Sequence, residues 1–168
     1  MARYLLTGAA GFIGARVARH LLDSGSIVVG IDNINDSYDP RLKEWRLEQF
    51  RDDDRFTLKR INIANRDELE RALGDEPYDG VINLAARAGV RQSVSDPWVY
   101  YETNVIGALN LLDACRDRSI PKLVQASTSS LYGLHNPRPY NEDADTSQPL
   151  SPYAASKGAA EILCHSYH

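Results

Sequence analysis

The chain has 168 residues, of which 43% are hydrophobic and 25% charged, the balance of one soluble globular domain. Its formal net charge is −4 and its basic residues form no stripe, so nothing indicates a nucleic-acid partner. No apolar run approaches the ~20 residues that cross a bilayer. Neither the four histidines nor the two cysteines, Cys115 and Cys164, show metal-ligand or disulfide spacing. These features predict a protein of the reducing cytoplasm with no membrane segment and no metal.

Short apolar runs alternate with amphipathic stretches along the chain. The pattern predicts strands over 3–7, 26–32, 56–63, 78–85 and 122–126. It predicts helices over 12–24, 40–50, 66–73 and 98–117, and a last helix capped by Ser151 with Pro152 in its first turn. Strands that alternate with helices indicate an α/β fold: a doubly wound, mostly parallel sheet with helices on both faces, as in the Rossmann fold. Ligands of such folds bind at the carboxyl ends of the strands.

The two ends of the chain give further expectations. The first strand begins close to Met1, which leaves no room for a signal peptide before it. The last helical pattern has no glycine or proline stop and runs to His168. We therefore expect residues 1–168 to be a cofactor-binding domain whose substrate-binding domain is absent from this chain. The alternative is a natural terminus with a frayed helix.

Three glycines with the spacing GxxGxxG, Gly8, Gly11 and Gly14, lie between the first strand and the first helix. A dinucleotide needs a tight turn there, close backbone approach to its pyrophosphate, and close packing of helix on strand. The first helical residues, Phe12 and Ile13, would offer unpaired N–H groups to the phosphates. A glycine-rich turn without a ligand could show the same spacing, so the motif needs support from elsewhere in the chain.

An acidic residue, Asp32, provides that support, because it closes the second strand about 20 residues after Gly11. A carboxylate there can accept hydrogen bonds from the adenosine ribose and would repel a 2′-phosphate. Asn33 follows it rather than an arginine, which favours NAD over NADP. A turn-forming acid is the alternative interpretation. Residues at the ends of the third and fourth strands would flank the cofactor, although ordinary packing explains them equally well: Asn62, Ile63, Leu84, Ala85 and Ala86.

Tyr153 and Lys157 are four residues apart on the last predicted helix and therefore share a face. A tyrosine titrates near pH 10, and lowering its pKa by about 3 units requires roughly 4 kcal/mol. A cation about 4 Å away supplies ~4 kcal/mol at an effective dielectric of 20. A partly desolvated Lys157, helped by a nicotinamide ring, would thus make Tyr153 a general base. Thr128 or Ser129, after the fifth strand, could hydrogen-bond the reacting hydroxyl. Such tyrosine–lysine pairs also occur by chance, and the glycine loop is what favours the catalytic interpretation.

The combination TGAAGFIG, STSSLYG and YAASK resembles the extended short-chain dehydrogenase/reductase superfamily, in its sugar-nucleotide epimerase and dehydratase branch, over the whole chain. The resemblance implies that the glycine loop binds NAD and that Tyr153 and Lys157 carry catalysis. It implies that Thr128 assists them and that Asn104 supports the site from the central helix. It also implies a homodimer that packs through the 98–117 and 151–168 helices.

Two longer strings, DNINDSYDPRLKEWRL and NLAARAGVRQSV, are similar to those of UDP-glucuronate 4-epimerases. This similarity implies that Asn35 and Lys43 lie near the adenosine end of the cofactor and Arg91 near the sugar nucleotide. The sequence departs from that subgroup at Arg87, where glutamine is expected, and at Asn62, where aspartate is usual.

The implied reaction converts UDP-glucuronate to UDP-galacturonate through a 4-keto intermediate. Ser129 and Ser130 stand where a dehydratase has an Asp-Glu pair, which favours epimerisation. Another sugar nucleotide, a reductase or decarboxylase of the same superfamily, and a non-catalytic NAD-binding module remain alternatives.

Overall fold

A computed structural model describes residues 1–168. The strands are β1 (Arg3–Thr7), β2 (Ile27–Ile31), β3 (Phe56–Lys59), β4 (Gly80–Asn83) and β5 (Leu123–Gln125). The α-helices are α1 (Phe12–Asp23), α2 (Pro40–Glu48), α3 (Arg66–Leu73), α4 (Val90–Ser95), α5 (Trp98–Tyr101), α6 (Gly107–Asp117) and α7 (Pro152–Ser166). A π-helix, Glu102–Ile106, joins α5 to α6, and a 3₁₀-helix covers Ser129–Tyr132.

The five strands form one sheet in the order β3-β2-β1-β4-β5, and every pairing is parallel. The predicted α/β class with a Rossmann-like parallel sheet is therefore confirmed. The chain builds outward from β1 to β3 on one side and then returns to add β4 and β5 on the other. Strand order thus reverses between β1 and β4, and at such a point loops leave a crevice at the carboxyl ends of the strands.

Helices cover both faces of the sheet because neighbouring residues of each strand point to opposite faces. Leu5 packs with Leu111 of α6 in one buried cluster, whereas Leu6 packs with Leu22 of α1 in the other. Both clusters are apolar on the strand side, as expected for a parallel sheet buried on two faces. Cys115 belongs to the first cluster, where burial raises the pKa of its thiol to about 11.

Two strands end earlier than the sequence predicts. The third ends at Lys59, which pairs with the last residue of β2, and the fourth ends at Asn83, which pairs with the last residue of β1. Beyond these positions neither strand has a neighbour that continues the hydrogen-bonding ladder. The residues that follow, including Asn62 and Ala85, are therefore loop residues at the carboxyl edge of the sheet.

The elements that the sequence did not predict lie between β4 and α7. Helix α4 has only six residues and follows Gly89, whose φ is +120°. The predicted helix over 98–117 is continuous in the structure, but the π-helix interrupts its regular hydrogen bonding. None of the helices combines the length and the apolar character that a membrane crossing requires.

Candidate active site

A cleft of about 520 Å³, open to solvent, lies at the carboxyl edge of the sheet where strand order reverses. Ten residues predicted to bind the cofactor line it: Gly8, Gly11, Asp32, Asn33, Asn35, Asn62, Ile63, Leu84, Ala85 and Ala86. Ile61 and Thr103 also line it and were missed by the sequence analysis. The signal for Ile61 was its place in the predicted third strand, and that for Thr103 was its place beside Asn104.

The three glycines of the loop meet different steric demands. Gly8 has a φ of +67°, and a β-carbon there would lie 2.8 Å from the backbone nitrogen of Ala85. A β-carbon on Gly14 would overlap the carbonyl oxygen of Gly8, so Gly14 lets α1 pack against the turn. Gly11 is less confined, since its β-carbon would meet only the Gly8 oxygen at 3.0 Å, and it faces the cleft. Gly8 and Gly14 are therefore required by the fold, whereas Gly11 leaves room for a ligand.

The start of α1 leaves backbone N–H groups without partners. Gly11 is its N-cap residue and supplies no side-chain acceptor. The N–H groups of Phe12 and Ile13 consequently have no acceptor within the chain. The side chains of these two residues are exposed and do not line the cleft, so any part that they play in binding comes from the backbone. Unpaired N–H groups and the helix dipole together favour an anion at this point.

Asp32 is buried and joins the glycine loop to its own turn. Its Oδ2 accepts from the backbone N–H of Ala10 at 3.1 Å, and its Oδ1 accepts from that of Ile34 at 2.9 Å. Lys43 Nζ lies 3.5 Å from Oδ1 and donates to Asn35 Oδ1 at 3.0 Å. Lys43 itself is buried and does not line the cleft. The turn-forming and cofactor-facing interpretations of Asp32 are thus compatible, because the same carboxylate forms the turn and borders the cleft.

Arg46, a further residue that the sequence analysis missed, contacts the glycine loop from outside the cleft. Its guanidinium Nη1 donates to the carbonyl oxygen of Ala10 at 3.2 Å and to the hydroxyl of Tyr38 at 2.9 Å. Arg46 lies three residues after Lys43 on the same face of α2, and it reaches the glycine loop while Lys43 reaches Asp32 and Asn35. That spacing in LKEWR was the available signal.

Helix α7 carries Tyr153 and Lys157. Ser151 caps it by accepting from the N–H of Ala154 at 3.1 Å, and Pro152 occupies the first turn, as predicted. Lys157 is only 3% exposed, and burial lowers the pKa of its ammonium group while the negative charge of Glu161 opposes that shift. Tyr153 is half-buried, and its ring meets that of Tyr100 edge-on with 6.1 Å between centroids. The structure thus contains the desolvated lysine that the catalytic hypothesis requires.

Thr128 and Ser129 lie after β5, in a segment that packs against α7. Thr128 is the N-cap of the 3₁₀-helix, and its Oγ1 accepts from the N–H of Ser130 at 3.2 Å. The Thr128 hydroxyl keeps its own proton for donation. Ser129 is exposed. The segment that carries both residues therefore packs against the helix that carries Tyr153 and Lys157.

Arg91 and Asn104 occupy different environments. Arg91 is exposed on α4, which packs against α7, and the chain offers its guanidinium no hydrogen bond or ion pair. Asn104 is buried in the π-helix, where its Oδ1 accepts from the N–H of Arg87 at 2.8 Å. Its Nδ2 donates to the carbonyl oxygen of Arg87 at 3.1 Å and to Ser156 Oγ at 2.9 Å. Asn104 thus supports the site as a structural residue and does not line the cleft.

A parallel sheet with a glycine turn, an open helix N-terminus and a buried acid at its switch point defines a Rossmann-like α/β protein. Residues 5–168 match the family described as GDP-mannose 4,6 dehydratase, and the chain belongs to the NAD-dependent epimerase/dehydratase family of extended short-chain dehydrogenases/reductases.

Comparisons with individual relatives support the same family. The chain is 48% identical over 168 residues to a UDP-glucuronate 4-epimerase from Thermodesulfobacterium geofontis, covering all of this chain and 52% of that protein. A UDP-glucuronic acid 4-epimerase from Bacillus cereus, solved with UDP-glucuronic acid and NAD, is 38% identical with a TM-score of 0.89 over 99% of this chain and 52% of its own. A dTDP-glucose 4,6-dehydratase from Streptomyces venezuelae, solved with NAD, is 30% identical with a TM-score of 0.87, over 99% and 51% respectively. The chain therefore spans about half the length of the relatives it matches.

Proposed function

We propose that this chain is the NAD-binding, catalytic half of a nucleotide-sugar 4-epimerase that acts on UDP-glucuronate. The observation that carries the proposal is the burial of Lys157 one helical turn from Tyr153, on a helix that adjoins the cleft-bearing edge of the sheet. A lysine gains nothing structurally from burial without a partner, because desolvation of its charge costs free energy. We propose that the Lys157 cation acts on the Tyr153 phenol, because a nearby positive charge stabilises a phenolate.

The cleft fits NAD by the groups that line it. The unpaired N–H groups at the start of α1 suit a pyrophosphate, and Gly11 has no side chain to obstruct it. Asp32 suits the two hydroxyls of an adenosine ribose and disfavours a 2′-phosphate, which supports NAD over NADP. Small residues at the end of β4, Ala85 and Ala86, leave room for a ring to lie against the sheet edge.

In the proposed mechanism the glycine loop and Asp32 would hold NAD, which would supply reversible hydride transfer at C4 of the sugar. Tyr153 removes the proton from the 4-hydroxyl group and later returns it. Lys157 favours the phenolate form of Tyr153 by its charge and would orient the nicotinamide ribose. Thr128 and Ser129 hold the substrate hydroxyls, and Arg91 lies toward the negatively charged sugar nucleotide. Ser129 and Ser130 bring no acid to this position, so no group is present there to expel water.

The relatives that carry the names of UDP-glucuronate 4-epimerases support the choice of substrate. Because the chain spans half their length, we propose that further sugar-nucleotide contacts belong to a substrate-binding portion like the rest of those relatives. We also propose a homodimer that packs through α5, α6 and α7. Trp98 and Ile162, 82% and 72% exposed respectively, are apolar side chains on these helices.

Calorimetric titration of the chain with NAD⁺ and NADP⁺ tests the cofactor assignment, and NAD⁺ is expected to bind more tightly. Incubation with UDP-glucuronate and NAD⁺, followed by NMR of the sugar C4 configuration, tests the reaction. The chain alone is expected to turn over slowly or not at all, and a protein that also carries the second half of such relatives is expected to be active. NAD⁺ binding without epimerisation by that longer protein would favour a non-catalytic module, and net release of NADH would favour a reductase or decarboxylase.

A further inference from the structure

Ser156 lies on α7 between Tyr153 and Lys157, and its side chain is fully buried. Its hydroxyl donates to the backbone carbonyl oxygen of Tyr153, with an Oγ–O distance of 2.7 Å. The same hydroxyl accepts from Nδ2 of Asn104 at 2.9 Å. A hydroxyl has a single proton, so the bond within the helix fixes the direction of the bond to Asn104. Ser156 is therefore the residue through which the buried amide of Asn104 is hydrogen-bonded to the helix that carries Tyr153 and Lys157.

Asn104 connects that helix to the edge of the cleft. Its Oδ1 accepts from the backbone N–H of Arg87, and one Nδ2 proton is donated to the carbonyl oxygen of Arg87. The other Nδ2 proton is donated to Ser156 Oγ. Arg87 directly follows Ala86, which lines the cleft. One side-chain amide thus joins the loop after β4, the π-helix and α7, and both of its donor protons are used.

Packing alone restrains α7 weakly. Apart from Ser156 and Lys157, its buried residues are alanines, Ala154 and Ala160. Methyl groups resist a small rotation or slide less than interdigitated large side chains do, whereas a hydrogen bond has a preferred direction and length. A second side-chain hydrogen bond, from Tyr167 Oη to Asp113 Oδ1 at 2.6 Å, holds the C-terminal end of α7. The bond between Ser156 and Asn104 is the one that acts on the turn that carries Tyr153 and Lys157.

We propose that Ser156 is a positioning residue whose hydrogen bond to Asn104 fixes the rotation of α7 and so aims Tyr153 and Lys157 at the edge of the cofactor cleft. The proposal rests on the function proposed above for these two residues. It assigns to Ser156 no contact with cofactor or substrate. It explains why a polar side chain occupies a fully buried position on an otherwise small-residue face.

The experiment compares Ser156→Ala with the matched control Ser93→Ala. Ser93 on α4 is also fully buried, and its hydroxyl donates to the carbonyl oxygen three residues earlier, that of Val90, at 2.7 Å. Both substitutions remove the same local bond, but only Ser156→Ala removes a bond to another element. Tm is expected to fall in both variants, and further in Ser156→Ala because Asn104 Nδ2 loses an acceptor.

The readout that separates positioning from stability is the titration of Lys157. The chain has four lysines, Lys43, Lys59, Lys122 and Lys157, so ¹³C-dimethylation gives a simple NMR spectrum, and Lys157→Arg assigns the signal. Ser156→Ala is expected to raise the Lys157 midpoint toward the ordinary lysine value by about 0.5 pH unit, because a rotated helix exposes the ammonium group. Ser93→Ala is expected to leave the midpoint unchanged. Equal midpoints in the two variants would overturn the proposal.

A second readout is NAD⁺ affinity, which is expected to fall about fivefold in Ser156→Ala and less than about twofold in Ser93→Ala. If the unsubstituted chain does not bind NAD⁺, the proposed function fails, and the Lys157 midpoint still decides the role of Ser156. If Ser156→Ala does not fold, Ser156→Cys leaves no cavity, because sulfur is larger than oxygen, and it weakens the hydrogen bond, so the same midpoint shift is expected. Absence of that shift in a folded Ser156→Cys would count against positioning.

Discussion

The two halves of the candidate site are built in different ways. The glycine loop and Asp32 lie on short segments after β1 and β2, where a local backbone turn and the Ala10–Asp32 bond set their shape. Tyr153 and Lys157 lie on α7, which is placed by contacts to α4, α5, the π-helix and the 3₁₀-helix. The turn on the cofactor side is therefore set by local backbone geometry, with Ala85 and Arg46 packed against it, whereas the position of the catalytic side depends on elements that are far apart in the chain. We therefore expect substitutions on the two sides to change different measured properties: turnover on the catalytic side, and stability and cofactor affinity on the cofactor side.

The largest expected effect is on the catalytic side, from Tyr153→Phe. Loss of the phenolic hydroxyl removes the proposed general base, so turnover by the longer protein is expected to fall by about 10³-fold or more. NAD⁺ affinity is expected to remain within about twofold, since the ring and its edge contact with Tyr100 remain. Steady-state kinetics and calorimetry measure the two quantities. Tyr101→Phe, on the partly exposed face of α5, is the matched control and should change neither.

The next effect is on the cofactor side, from Gly8→Ala. Its β-carbon would lie 2.8 Å from backbone atoms of Leu84 and Ala85, and its φ of +67° disfavours any L side chain. We expect the free energy of unfolding to fall by about 3 kcal/mol in urea titrations. Gly74 has a φ of +62° but nothing within 4 Å of a β-carbon, so Gly74→Ala measures the backbone cost alone. Equal decreases in the free energy of unfolding for Gly8→Ala and Gly74→Ala would show that the close approach of Gly8 to the residues after β4 contributes nothing to stability.

A smaller effect is expected from Asp32→Asn. The amide keeps the size of the side chain but weakens its bonds to Ala10 and to ribose hydroxyls, and it no longer repels a 2′-phosphate. NAD⁺ affinity is expected to fall about tenfold, and the preference over NADP⁺ should narrow. Calorimetric titration with both cofactors measures this. An unchanged NAD/NADP ratio would contradict the proposed contact with the ribose.

The smallest effect concerns the pH dependence of stability. Burial lowers the pKa of Lys157 in the folded state below its value of 10.5 in the unfolded chain. Between these two pKa values the unfolded state binds more protons, so the cost of burying Lys157 is full below the folded pKa and disappears as the pH rises toward 10.5. Lys157→Met should therefore stabilise the chain by about 1 kcal/mol near neutral pH, with the gain shrinking at alkaline pH.

Urea unfolding at several pH values measures that gain, and the exposed Lys59 provides the control substitution, Lys59→Met. If the stabilisation by Lys157→Met were the same at every pH, burial of the Lys157 charge would have no desolvation cost. Stabilisation at the expense of activity is the behaviour expected of a residue kept for chemistry rather than for folding.

The sequence predicted the features whose causes are local. The turn at Gly8, the cap at Ser151 and the turn-forming role of Asp32 follow from a few neighbouring residues, and the structure contains them. Tyr153 and Lys157 lie one turn apart on α7, and their catalytic pairing stays a prediction. Helix α4 and the early ends of β3 and β4 were not predicted, because tertiary neighbours decide them. Arg46 and Ser156 were missed for the same reason, since their partners, Ala10 and Asn104, lie 36 and 52 residues away.

The strand order has a consequence for the newly synthesised chain. Each strand after β1 pairs with one that precedes it: β2 with β1, β3 with β2, β4 with β1 and β5 with β4. Each of these four strands therefore finds one partner already made when it leaves the ribosome. The sheet can grow during translation, but the second edge of β1 stays unpaired until β4 has been made, and the nascent chain is most open to aggregation in that interval.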